Sequence, residues 1–197
     1  MKLYDISQEV FSCTVYPGDP QPERMALYST GEGDLYNLTS FAMCAHNGTH
    51  VDAPFHFLHH GKTVDQMDLT CFVGDCYVAR REGNVTADHA EEILAGACGA
   101  QRILIAGKAT VTAEAAEVFA KGNIKLLGNE GQSVGPEDAP MQVHLILLKQ
   151  GIALLEGIVL KDVPQGRYFL SAAPLNLGGA DGAPCRAYLI DWEEENR

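Results

Sequence analysis

His46, Asn47, Gly48, Thr49, His50, Val51, Asp52, Ala53, Pro54, Phe55, His56: this run places three imidazoles and a carboxylate within eleven residues. Imidazole and carboxylate are donors that zinc, manganese and iron sites use. On a helix turning about 100° per residue, His46 and His50 would share a face, with Asp52 roughly 120° away. On a strand the four polar residues fall on one face, because all have even numbers. An extended chain from His46 to His50 would span about 13 Å, too far for both rings to hold one ion. The chain must therefore bend between them, and Gly48 can bend it without steric cost. Asp52, Ala53, Pro54 reads as a second turn. The expectation is a folded loop whose polar side chains converge. Apolar neighbours (Phe41, Ala42 and Met43 before it, Phe55, Phe57 and Leu58 after) bury part of that loop. Buried histidine and aspartate must be paired or coordinate an ion.

Upstream, Lys2 to Ser7 reads as a short strand, Tyr16 to Pro20 as a turn, and Tyr36 to Ala45 as a strand entering the motif. Leu69 to Arg80, with Phe72, Val73, Tyr77 and Val78, reads as another strand. The second half alternates. Thr86 caps a helix through about Ala97, and Arg102 to Ala106 is a buried strand. Thr112 starts a helix through Lys121, and Ile124 to Leu127 is a second buried strand. Pro136 to Gln150 is a helix, followed by a strand from Ile152 to Leu155. Tyr168 to Ala172 and Arg186 to Ile190 close the sheet. Such alternation gives parallel pairing through crossover helices, while the strand-rich first half adds antiparallel parts. The expected fold class is α/β, a mixed sheet with crossover helices, in one domain over residues 1–197.

The composition is that of an ordinary globular protein, 46% hydrophobic and 20% charged. A formal net charge of −12 argues against nucleic acid and anionic membrane as partners, since both favour a positive surface. The acidic run Asp191, Trp192, Glu193, Glu194, Glu195 reads as a solvated end. The start, Met1 to Asp5, carries no apolar signal core, and no stretch approaches a membrane span, so a cytoplasmic address is expected. Cys13, Cys44, Cys71, Cys76, Cys98 and Cys185 include no C-x-x-C pair and read as small buried hydrophobes rather than a thiolate zinc site. Cys44, two residues before His46, is not read as a ligand. His59 and His60 sit in a polar turn and His89 follows a helix start, and all three are expected at the surface. His144 in a helix and Glu156 at the end of the next strand come within reach of each other if the helix folds back. Spacing alone reads them as an ordinary helix histidine and strand-end glutamate.

The run His-x-Gly-Thr-His-x-Asp-x-Pro-x-His, complete at His46, Gly48, Thr49, His50, Asp52, Pro54 and His56, resembles the signature of the metal-dependent cyclase family. That family includes bacterial kynurenine formamidase and isatin hydrolase. Tyr16, Pro17, Gly18, Asp19, Pro20 resembles its N-terminal loop. Ala173, Pro174, Leu175 and the run from Gly179 to Ala187 resemble its closing segments.

The resemblance implies a swivelling β/β/α-type domain and a hydrolase of small linear or cyclic amides, arylformamidase-like. It implies His46, His50, Asp52, His144 and Glu156 as ligands of two divalent ions, zinc or manganese, with Asp52 bridging. Such ions would polarise the amide carbonyl and acidify a water. His56 matches the family's non-ligand histidine, a catalytic acid/base suited to protonating the leaving nitrogen. Glu156 points to the two-metal members. The resemblance also implies a homo-oligomer, dimer or tetramer. Tyr16 and Phe55 are candidate substrate-binding aromatics, with a core role as the alternative. Other functional readings are a metal-dependent lyase or cyclase and a non-catalytic metal-binding sensor of small molecules. One segment departs from the family. Many members carry Asp-Thr-x-Ser-x-Asp after the central strand, where this chain has Glu130 at the first acid and Gly135 at the second.

Overall fold

The computed structural model describes residues 1–192. Its strands are β1 (Lys2–Asp5), β2 (Glu23–Tyr28), β3 (Leu38–Ala42), β4 (His50–Asp52), β5 (Val73–Arg80), β6 (Gly83–Val85) and β7 (Arg102–Ala106). They continue as β8 (Ala109–Val111), β9 (Leu126–Asn129), β10 (Ala153–Glu156), β11 (Gly166–Ser171), β12 (Gly182–Pro184) and β13 (Tyr188–Asp191). The helices are α1 (Ala87–Ala97), α2 (Ala113–Lys121) and α3 (Met141–Lys149).

Nine strands make one sheet in the order β1-β13-β11-β5-β7-β9-β10-β4-β12. Its centre, β5-β7-β9-β10, is parallel, and both flanks are antiparallel. α1, α2 and α3 make the successive crossovers, so the mixed sheet matches the expected class. β6 and β8 form a small parallel pair. β2 and β3 form a hairpin that pairs with no other strand.

Side-chain alternation sorts the central strands onto two cores. Tyr77, Ala79, Ile103, Ile105, Leu127 and Leu154 pack with the helices, against Ile93, Phe119 and Leu147. Cys76, Val78, Leu104, Ala106, Leu126 and Leu155 pack on the opposite face, with Val51 of β4. The register pairs Glu156 with His50 and Leu154 with Asp52. Val51 and Leu155 therefore fill the far core, while His50, Asp52 and Glu156 share the face of Leu154, under α3. The even-numbered spacing of the motif has this structural consequence.

Thr86 and Thr112 cap α1 and α2 as expected, their side chains accepting from the N–H groups of His89 and Ala115. Several expectations need correction. The metal motif is not wholly a loop, because His50–Asp52 is a buried strand held between β10 and β12. α3 begins at Met141 rather than Pro136, since Pro140 has no N–H to give an earlier turn. His89 is half-buried rather than exposed and completes a capping box with Thr86. Asp191 is not part of a solvated tail but is buried in β13 opposite Lys2. Trp192 is exposed, and Glu193, Glu194 and Glu195 lie outside the described residues. The strands β2, β6, β8 and β12 were not legible in sequence.

Candidate metal centre

Gly48 makes the bend that the motif requires, at a φ of 63°, and its carbonyl then points back at the motif. That carbonyl accepts from Nδ1 of His50 at 3.0 Å. The carbonyl of Pro140, just before α3, likewise accepts from Nδ1 of His144 at 2.9 Å. Each ring is thus pinned from behind with its Nε2 turned toward carboxylates, the support that metal-ligating histidines use.

Nε2 of His50 stands 3.5 Å from Asp52 Oδ1 and 3.5 Å from Glu156 Oε2. Nε2 of His144 stands 3.5 Å from Asp52 Oδ2 and 3.2 Å from Glu156 Oε1. Nδ1 of His46 is 2.8 Å from Asp52 Oδ1, and its Nε2 is 2.9 Å from Asp181 Oδ2. His50, Asp52, His144 and Glu156 are all buried. Two donors bound to one zinc at 2.0–2.1 Å, at the tetrahedral angle, stand roughly 3.3 Å apart. Most separations here match ligands arranged around an ion better than hydrogen bonds.

Asp52 Oδ2 is buried and has no hydrogen-bond partner. An orphaned carboxylate oxygen is costly unless something positive meets it. The donor set and the orphan both fit a divalent cation. Candidate ligand atoms group as His46, Asp52 and His56 on one side and His50, Asp52 and Glu156 on the other, each set within 4.8 Å. Asp52 belongs to both sets.

Burial alone would depress the imidazoles, but their carboxylate partners more than offset it. His46 is pushed up to about 11, His50 to about 9 and His144 to about 10. Burial opposes ionisation of Asp52, yet His144, His46 and His50 hold it well below the usual carboxylate range. Asp181 is lowered too, chiefly by its hydrogen bond to His46.

These directions fix a prediction for the metal-free protein. The raised histidines contribute stability that is complete below their ordinary 6.5 and is lost as pH rises through about 9 to 11. The lowered aspartates contribute stability present above their ordinary 3.8 and lost in acid. Chelated protein should therefore melt highest near pH 5 to 6.5 and progressively lower toward pH 10. A thermal midpoint that rises over the alkaline range in scanning calorimetry contradicts this.

His56 lies in the 3-10 turn Pro54–His56. Its ring is 4.1 Å from that of His46, and its Nδ1 is 3.2 Å from Asp181 Oδ2. Asp181 is the functional candidate that sequence reasoning missed. Its available signal was the segment from Gly179 to Ala187, which carried a family likeness but no role.

The centre opens into a cavity of about 380 Å³. Tyr16 lines it, with its hydroxyl donating to the Glu137 carbonyl at 2.6 Å. Phe55 does not line it and is 38% exposed. Phe57 stands in the wall instead, its ring 4.7 Å from that of His144. Cys44 also lines the cavity, its thiol 3.8 Å from Asp19 Oδ2.

The departing segment has a structural explanation. Glu130 does not reach the cavity. Its carboxylate accepts from the N–H groups of Gly107 at 2.6 Å and Leu160 at 2.8 Å, tying two loops. At Gly135 a Cβ would come within 3.0 Å of Val143 Cβ, so no acid fits there without displacing α3. Gln132 and Ser133 face the cavity in their stead. His59 and His60 are exposed, away from the centre.

The family model described as "Putative cyclase" matches residues 4–136. A kynurenine formamidase of Salinibacter ruber (strain DSM 13855 / M31) is 36% identical, over 97% of this chain and 98% of its own length. A solved potential metal-dependent hydrolase with cyclase activity superposes with a TM-score of 0.80 at 29% identity, covering 95% of this chain and 96% of its own. Isatin hydrolase A from Labrenzia aggregata superposes with a TM-score of 0.82, covering 95% and 93%, and at 19% identity shares the fold. With a matching family model over two thirds of its length and a relative alignable from end to end, this chain belongs to the cyclase family.

Proposed function

We propose that the protein is a metal-dependent amide hydrolase that cleaves the C–N bond of a small aryl amide, with arylformamidase-like activity. His46, His50, Asp52, His144 and Glu156 are the proposed ligands of two divalent ions, zinc or manganese, since the donor set serves both. The observation that carries this reading is the double allegiance of Asp52. Its Oδ1 faces His46 and His50, and its orphaned Oδ2 faces His144. Bound divalent ions supply Lewis acidity and an acidified water. The kynurenine formamidase relatives support the choice of an aryl formamide.

The chain's own residues do the rest. His56 carries the proton that the departing nitrogen needs. Asp181 accepts from Nδ1 of His56 and so holds one tautomer, leaving Nε2 without a protein partner among the described residues. A histidine oriented by a carboxylate in this way is suited to general acid/base work. Tyr16 and Phe57 give the cavity aromatic walls for a flat ring. The test is a panel of aryl formamides and cyclic amides, assayed with product analysis before and after chelation. Equimolar formate and aryl amine is the expected outcome. Products formed by elimination or ring closure would favour lyase or cyclase chemistry.

The protein is further proposed to be a homo-oligomer, dimer or tetramer. The β2–β3 hairpin supports this, because every residue of both strands is exposed. It carries Met25, Leu27, Tyr28, Leu38 and Phe41 with 40% or more of each surface open. A two-stranded ribbon is marginal in water alone, and an apolar patch of this kind is characteristic of an interface. Light scattering at micromolar concentration should give at least twice the 21.3 kDa chain mass. A monomer contradicts the proposal. No helix among the described residues is long and apolar enough to cross a membrane. Six unpaired cysteines support a reducing, cytoplasmic setting.

A further inference from the structure

The two strands that carry His50 and Glu156 stop supporting each other at those very residues. β4 and β10 pair from Asp52 with Leu154 to His50 with Glu156, and the ladder ends on that rung. Beyond it the chain leaves through Thr49 on one side and Gly157 on the other. Whatever holds these two neighbours also sets where both ligand side chains start. The Gly157 carbonyl accepts two hydrogen bonds, from the Thr49 hydroxyl at 2.7 Å and from Nε2 of Gln8 at 2.7 Å. The N–H of Gln8 donates in turn to the Thr49 hydroxyl at 2.9 Å.

The other end of the Gln8 amide is used as well. Its Oε1 accepts from the N–H of Thr14 at 2.7 Å, and the Thr14 carbonyl accepts from the N–H of Gly48 at 3.3 Å. One glutamine thus closes a ring of hydrogen bonds through Thr14, Gly48, Thr49 and Gly157. The ring is tight where it passes Gly157. That residue has a φ of 65°, and a Cβ on it would lie 2.2 Å from the Gly48 carbonyl oxygen. The same Gly48 carbonyl pins Nδ1 of His50. Gln8 itself does not line the catalytic cavity; it borders a separate groove of about 790 Å³. It is therefore placed to act on the ligands from behind and not on a substrate.

We propose that Gln8 is a positioning residue of the metal centre, clamping the last rung of the β4–β10 ladder so that His50 and Glu156 are preset for the ions. The proposal rests on the metal-centre reading above and not on the amide chemistry. Without the clamp, Gly157 and Thr49 keep only their direct bond, and the rung can fray at its open end. An ion then has to order that rung as it binds, which weakens its affinity. The effect falls on metal binding, because neither end of the Gln8 amide reaches the cavity.

The test titrates chelator-stripped protein with zinc alone, in competition with a chromophoric chelator at neutral pH. Gln8→Met keeps the side-chain length and loses both amide hydrogen bonds. Zinc should bind it about 10- to 100-fold more weakly than the parent, the range for groups that support metal ligands from behind. Gln8→Glu repeats the test in a polar form. It keeps the acceptor for Thr14 and loses the donor to Gly157, so zinc should again bind more weakly, against the attraction of the added charge. Ile93→Val is the control for stability alone, since it loosens the helix-side core without touching the clamp. It should lower the thermal midpoint and bind zinc as the parent does. Parent-like or tighter zinc binding in Gln8→Met or Gln8→Glu, or an equal loss in Ile93→Val, overturns the clamp alone. A parent protein that takes up no zinc sinks the metal-centre reading, and the clamp with it.

Discussion

Asp52→Ala is expected to empty the centre and abolish turnover. The wild-type protein should carry about one to two equivalents of zinc or manganese, and the variant only a small fraction of that. The reason is specific to this carboxylate. Its two oxygens face different histidines, so its removal takes a ligand from both ions at once. Loss of Glu156 alone should leave the side of His46, Asp52 and His56 partly occupied. The variant will also strain the metal-free fold, because His46, His50 and His144 lose the carboxylate that draws their protons into a buried place. Asp52→Asn keeps the volume but not the charge, so it avoids the cavity, shares the loss of countercharge and should still lose most metal. Full metal retention in either variant, measured by plasma mass spectrometry, contradicts the ligand assignment.

His56→Ala carries the second large effect, and it separates a catalyst from a binder. If His56 moves the proton, metal content stays near normal while kcat falls by roughly 10² to 10⁴, the usual contribution of a positioned acid/base. KM should change little, since that proton transfer is made in the transition state. Asp181→Asn should move in the same direction by less, because the imidazole remains but its tautomer is no longer held. The geometry makes the metal measurement essential. His56 lies close enough to His46 and Asp52 for its ring nitrogen to join them as a ligand. A His56→Ala protein that loses metal places His56 around an ion and requires another proton carrier. Near wild-type turnover rejects the role altogether.

Much of this centre could be read in the sequence because the motif is local. His46 to Asp52 are joined by a single bend and a three-residue strand, so residue parity and one glycine fix their relation. His144 and Glu156 were named through the family resemblance, spacing having put them only within reach of each other, and the helix and the strand after it bring them to 3.2 Å. Asp181 was not. It reaches His56 across 125 positions, from a short glycine-flanked strand boundary with no periodicity of its own. Phe55 was one of two aromatic candidates for the cavity, and Phe57, just past the 3-10 turn over residues 54–56, lines it. The long apolar strands and the threonine-capped helices were evident from composition and caps. The three-residue strands β6, β8 and β12 were not, being too short to show alternation. The strand β2 escaped for a different reason: it alternates against no core of its own chain.

The central claim is that amide hydrolysis depends on metal held by these side chains, and bound metal and turnover measured on the same samples test it most directly. Protein stripped stepwise with chelator should lose hydrolysis of an aryl formamide in step with its metal. Turnover should fall below about one hundredth of the starting rate when stripped and return on adding zinc or manganese. Undiminished turnover in protein shown to be free of metal would contradict the account.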